Sequence, residues 1–263
     1  MQRLSLVLVL LLAALVGGET AAAQGSKGSL EVSGRVSAGG QQLKLKRKRF
    51  YLFRGGLDAN RALIDRIKAA TPTTRDCFYC RQKASAEYVA WLKAGDCESP
   101  YCREITTDDV AKVPEFIAAY KKGLVQYKNK QDIARKWVTN NLPAALRDGF
   151  YTEEKTLLNS ILGGVKPVQS SMTDSVSVVS IFIDIPLNID KAAAKQTEPF
   201  VVSNLLPIEI GDKSYVWACE VEIGSAKKIK APSLPIVDSS KLVKKCEVVV
   251  RNLPKCTNGS CGQ

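Results

Sequence analysis

Two stretches of this 263-residue chain hold side chains whose type and spacing could do chemistry. In "CFYC", Cys77 and Cys80 have two residues between them, a spacing that at a helix start lets the first thiol ionise early and exchange disulfides, although here it falls between two predicted helices. In "LKLKRKRFYLF", five cations (Lys44, Lys46, Arg47, Lys48 and Arg49) occupy six positions ahead of an aromatic run. That cluster suits an anionic surface: lipid headgroups, polysaccharide or nucleic acid.

A stronger constraint is an absence. The chain has no histidine, which removes Ser-His-Asp and Cys-His catalysis, histidine metal ligation and imidazole acid-base chemistry near neutral pH. Haem attachment at "CFYCR" is excluded too, because Arg81 stands where the histidine is required. No catalytic residue, metal ligand set or cofactor is assigned.

The N-terminus sets the compartment. Arg3, the apolar run "LSLVLVLLLAALV" and the small residues of "TAAAQG" read as a signal peptide over residues 1–23, cleaved after Ala23. The run falls short of the roughly 20 residues that a membrane span needs. An uncleaved anchor is the alternative. The mature chain is therefore expected in a secreted or periplasmic location with no transmembrane segment. There, eight cysteines favour disulfides over metal or free thiols. They cluster as Cys77 and Cys80, Cys97 and Cys102, Cys219 and Cys246, Cys256 and Cys261. Connectivity among the first four is open. Cys219 and Cys246 each fall in a predicted strand and are expected to bridge. Cys256 and Cys261 enclose "TNGS" as a small loop containing a glycosylation sequon at Asn258. For "CFYC", structural disulfides are the expected use, with redox exchange and a weak zinc set as alternatives.

These residues need elements to position them, and the periodicity changes twice along the chain. Residues 24–56 alternate apolar and polar in "SLEVSGRVSAGG", with Leu30, Val32 and Val36 on one face, then turn at "AGGQQ" into the strand "RFYLF". Residues 57–165 follow a helical period. Ser85 and Thr106 stand at N-cap positions, Asp109 completes a capping-box spacing, and Pro114 forces either a kink or a fresh start. Pro143 suits a first turn and Gly163-Gly164 a stop. Residues 166–263 return to a period of two in "SVSVVSIFIDIPL", "EPFVVSNLLPIEI", "SYVWACEVEIG" and "KKCEVVVRNLP". Two N-terminal strands are marginal alone. The expected fold is therefore α+β: a β-sandwich of N-terminal and C-terminal strands, interrupted by a disulfide-rich α-helical insertion. Trp91, Trp137 and Trp217 read as core residues, and the pairs Asp108/Asp109 and Glu153/Glu154 as helix-start acids that favour the dipole.

"VSGRVSAGGQQL" and "FVVSNLLPIEIGDKSYVWACEV", with Phe200, Asn204, Leu205, Pro207, Gly211, Tyr215 and Val216, resemble segments of carboxypeptidase-regulatory-like, prealbumin-type sandwiches. Pro207 and Gly211 stand four positions apart where that pattern has them adjacent, and the insertion has no counterpart in it. The resemblance implies a non-catalytic partner or carbohydrate-binding accessory of exported proteins.

The net charge of +12 is local: residues 25–56 hold eight Lys/Arg against Glu31 alone. The basic stretch is read either as a solvated strand entry or as a contact for an anionic envelope component or polysaccharide, export disfavouring nucleic acid. The functional expectation is a non-enzymatic exported binding or envelope-associated module. The alternative is an extracytoplasmic thiol-disulfide protein using Cys77 and Cys80.

Overall fold

The computed structural model describes residues 28–33, 35–38, 41–174, 178–183, 197–224, 228–230, 246–254 and 256. The expected signal segment (residues 1–23), Cys261 and the Asn258 sequon lie outside the described residues. The described residues begin with four strands: β1 (Gly28–Ser33), β2 (Arg35–Ala38), β3 (Gln41–Lys44) and β4 (Arg49–Arg54). The helices follow as α1 (Arg61–Ala69), α2 (Arg75–Arg81), α3 (Ala86–Ala94), α4 (Thr107–Lys112), α5 (Pro114–Gln126), α6 (Gln131–Lys136), α7 (Val138–Asn141), α8 (Ala144–Arg147) and α9 (Gly149–Leu162). The chain then returns to strands: β5 (Gln169–Met172), β6 (Val178–Ile183), β7 (Thr197–Ser203), β8 (Ile208–Ile210), β9 (Lys213–Gly224), β10 (Lys228–Lys230) and β11 (Cys246–Asn252).

The main sheet is antiparallel, in the order β11-β9-β7-β4-β5 with β8 on β9. β4 is thus an interior strand between β5 and β7, with Leu52 opposite Val202. Its unbroken apolar run follows from having both faces covered. Phe50 and Leu52 join Phe200, Val202, Tyr215 and Trp217 on one face. Tyr51 and Phe53 face the other way, with Val201, Val216 and Ala218, against Leu63, Ile64, Ile67 and Ile161 of α1 and α9. Helices, not a second sheet, cover that second face. β1 lies in a separate three-strand sheet, antiparallel to β6 and parallel to β10, and comes against β9. β2 and β3 pair with each other, so Gln41 and Gln42 are in a strand where a turn was expected.

Local signals decide the helix ends. The Ser85 hydroxyl accepts from Tyr88 N–H, and Thr106 with Asp109 forms the reciprocal box. Pro114 starts α5 at its first turn instead of kinking a longer helix. Gly163 takes φ +54°, the left-handed stop after α9. Tertiary contacts finish the caps: Arg66 of α1 donates to the Ile161 and Leu162 carbonyls at the end of α9 (2.6 and 2.9 Å), and Arg251 of β11 to Ile67 and Lys68 at the end of α1 (3.0 and 2.9 Å). These bonds satisfy carbonyls that a helix leaves unpaired.

The remaining helices enclose a core of their own, an aromatic cluster of Phe78, Tyr79, Tyr88, Trp91, Phe116 and Phe150 in mainly edge-to-face contacts. Trp91 and Trp217 are buried as expected, whereas Trp137 is exposed, because it ends α6 at the outer edge of the insertion.

Candidate functional site

A cleft of about 90 Å³ opens where the helical segment meets the main sheet. Its walls are the α1–α2 connection with the start of α2, the loop around Glu98, one face of α9, the β7–β8 loop and the end of β11. Such a junction of two packed bodies is where concave sites form most readily.

Glu154 is its most unusual group. On α9, Phe150, Glu154, Leu157 and Ile161 follow one another at i, i+4, i+7 and i+11, so a carboxyl occupies an apolar-stripe position. Glu153, one residue earlier, points away and takes both bonds from Arg81 at 2.9 Å. The reading of these two glutamates as helix-start acids is therefore corrected: the first turn of α9 carries no acid. The helix rotates Glu154 into the cleft, where burial first, then repulsion from Glu98, pushes its carboxyl from 4.5 up to about 8, against the attraction of Lys48. At neutral pH it is a proton-bearing hydrogen-bond donor. Gly149 lets α9 come this close, since a Cβ there would stand 2.8 Å from the Phe78 ring.

Lys48 reaches the same cleft from the β3–β4 turn and holds Glu98 at 2.8 Å. Burial opposes its charge, but Glu98 and Asp96 outweigh that and hold the ammonium above its ordinary range. Glu98 is fixed in turn by its own loop: the Tyr79 hydroxyl donates to its carbonyl at 3.0 Å, and Cys97 is bonded to Cys102. Glu209 on β8 stands more open to solvent at the mouth. Its carboxyl is also raised, by partial burial and then Asp76, with Arg75 opposing. Arg75 and Arg251 complete the charged lining. Three cations face four carboxyl groups, one of them protonated.

The basic stretch is divided by this arrangement. Thr173 locks the turn between β3 and β4: its hydroxyl donates to Leu45 O (2.6 Å) and accepts from Lys48 N–H (2.9 Å), and its carbonyl accepts from Arg47 N–H (3.1 Å). Arg47 adopts φ 55°, so residues 46 and 47 form a turn and do not alternate as a strand. Leu45 as well as Phe50 is buried, which moves the start of the core ahead of the expected position. Lys48 enters the cleft, Lys46 and Arg47 remain exposed beside it, Arg49 donates to Ser170 Oγ at 3.3 Å, and Lys44 closes β3.

The cysteines are joined differently from their spacing. Cys77 is bonded to Cys256, not to Cys80, across 179 positions. That overturns the small Cys256–Cys261 loop and clasps α2 to the tail of β11, beside the cleft. Cys80 is bonded as well, and no free cysteine occurs among the described residues. Cys219 and Cys246 bridge the neighbouring strands β9 and β11 in register. Among the described residues there is no cluster of three or more metal-ligating side chains, and no helix is long and apolar enough to cross a membrane.

Glu154 was missed in the sequence, although its place in an apolar helical stripe was a readable signal. Lys48 was legible as a cation but not as half of an ion pair. No protein-family model, curated protein or solved structure matches the chain.

Proposed function

We propose that the chain is a non-enzymatic exported module that binds an envelope polysaccharide. In this reading its smaller sheet and the Phe50/Trp217 face of the larger one form two layers of a β-sandwich, in keeping with the carboxypeptidase-regulatory-like resemblance. The observation that carries the binding function is the charge-balanced cleft with a protonated carboxyl inside it. Fixed donors and acceptors in a small concavity suit a neutral, hydroxyl-rich sugar unit better than an ion, because no net charge must be neutralised. Lys46 and Arg47 on the adjoining rim then meet acidic substituents of the same polymer. The bond from Cys77 to Cys256 counts against the thiol-disulfide alternative, since neither sulfur of "CFYC" is a thiol and Cys77 is not paired with Cys80.

Calorimetric titration of neutral and acidic cell-envelope polysaccharides into the oxidised protein tests the reading. Thr73→Trp, placed in a connection at the cleft wall, should abolish binding of both polymers. Lys46→Gln with Arg47→Gln should weaken only the acidic one and reduce its salt sensitivity. Absence of binding, or binding indifferent to both variants, refutes the proposal. A protonated carboxyl in a sugar cleft is also what acid-assisted glycoside cleavage requires. Release of reducing ends that Glu154→Gln abolishes would turn the reading from binding module to enzyme.

A further inference from the structure

One stretch of the helical segment, from the end of α5 through α6, has a composition unlike the rest of it. Residues 121–137 hold Lys121, Lys122, Lys128, Lys130, Arg135 and Lys136 against Asp132 alone, whereas the remainder of residues 57–165 has eleven Lys/Arg and thirteen Asp/Glu. Five of the six cations are exposed and Arg135 is partly so, and none is ion-paired among the described residues. Elsewhere in residues 57–165 most cations find a carboxylate, as in Arg81–Glu153 and Lys93–Asp76, and those without one among the described residues, such as Lys83, Lys112 and Lys155, are scattered singly. The excess positive charge is thus gathered in one stretch, with Asp132 as its sole acid and no ion pair among the described residues.

The same stretch shows apolar side chains to solvent. Val125 is 84% exposed, Trp137 44% and Ile133 37%. Packing of α6 on α5 gathers them on neighbouring turns. Gly123 admits Ala134 so closely that a Cβ would lie 3.2 Å from it, which lays α6 against the end of α5. Tyr127 then meets the Trp137 ring at 6.1 Å. Ile133 and Trp137 are one turn apart, and a shallow depression joins Val125 and Lys122 to Asn141, one turn beyond Trp137. Aliphatic and indole groups ringed by lysines are matched to the boundary between acyl chains and charged headgroups. Tryptophan and tyrosine favour that depth, and lysines keep their ammonium groups in the polar layer.

We infer that this α5–α6 stretch is a docking site for an anionic phospholipid bilayer surface. A sugar polymer would satisfy the lysines equally well but would leave the aliphatic Val125 and Ile133 in water. An acidic protein would need an apolar patch of its own shape to cover them, whereas fluid acyl chains need none. A bilayer accommodates both parts. The inference is independent of the cleft, none of whose lining residues lies on α5 or α6.

Vesicles of phosphatidylcholine, with and without phosphatidylglycerol, test it with the oxidised full chain by co-sedimentation and tryptophan emission. Trp91 and Trp217 are already buried, so a blue shift on vesicle addition reports Trp137. Expected are binding that requires phosphatidylglycerol, a blue shift, and loss of binding in added salt. Lys128→Gln, Lys130→Gln and Lys136→Gln together should cut affinity on the order of a hundredfold. Val125→Asn, at a side chain with almost no contacts to lose, should remove much of the blue shift while near-ultraviolet dichroism shows an intact fold. Thr73→Trp should leave vesicle binding unchanged. Equal binding to neutral vesicles, binding without a Trp137 shift, or full affinity in the triple variant would each overturn the inference. Loss of vesicle binding on neutralising Lys46 and Arg47 instead would also overturn it, by moving the contact to the other basic stretch.

Discussion

Replacing Glu154 by glutamine should make the protein more stable in neutral and alkaline solution, by an amount that depends on pH in a defined way. The carboxyl is raised from 4.5 to about 8 by burial and by Glu98. Below pH 4.5 it is protonated in the folded and unfolded chain alike, and its contribution is fully present. Between 4.5 and about 8 the unfolded chain releases the proton and the folded one keeps it, so stability falls by about 1.4 kcal/mol per pH unit. Above about 8 both states are ionised and the loss is complete, at about 5 kcal/mol; at pH 7 about 3 kcal/mol has been lost. Glutamine keeps the shape and one donor without the ionisation. Urea unfolding of parent and Glu154→Gln from pH 5 to 9 isolates this residue, because the remaining titrating groups are common to both. The stability difference should rise steadily to near pH 8 and then level. The groups facing Glu154 give an internal control: Lys48→Met should delay the plateau to higher pH, since the ammonium favours the ionised carboxylate. A difference that stays flat across this range would show that Glu154 ionises normally, and the cleft would lose its protonated donor.

Thr173→Val should cost about 1–3 kcal/mol, because a methyl group leaves the buried Leu45 carbonyl without its 2.6 Å donor and the part-buried Lys48 N–H without its 2.9 Å acceptor; chemical denaturation measures it. Asn204→Ala should lower the melting temperature more than a surface substitution does, with a loss of about 2–3 kcal/mol. Its buried amide accepts from Trp217 N–H and donates to the Leu206 and Tyr215 carbonyls, tying the β7–β8 loop to β9. Paired alanine replacements should rank the bridges by the loop each closes. The Cys219–Cys246 bridge, spanning 27 positions, is expected to contribute about 3.5 kcal/mol, and Cys97–Cys102, spanning 5, about 2 kcal/mol. Equal losses would count against an unfolded-chain origin.

What the sequence by itself determined is what depends on near neighbours. Thr106 and Asp109 form their box, Pro114 opens α5, and Gly163 ends α9, because caps and backbone restrictions act within one turn of chain. The aromatic and β-branched runs in "RFYLF" and "YVWACEV" likewise marked these as strands, and strand geometry then determined which residues share a face, since side chains in a strand alternate whatever it packs on. The tertiary structure alone decided what meets across the chain. Cys77 finds Cys256 rather than its near neighbour Cys80, because α2 lies against the end of β11 and a disulfide follows distance in space. Strand pairing decided that β1 and β4 part into different sheets, and an outer position decided that Trp137 stays in water. Glu154 and Lys48 stand 106 positions apart, one read as a helix-start acid and the other as one of five surface cations. Only the packing of α9 against α1 and the main sheet brings them into one cleft, where burial and Glu98 raise the proton affinity of Glu154, and Glu98 and Asp96, against burial, raise that of Lys48. Burial of a charge is a property of the assembled walls around it, and no local pattern encodes it.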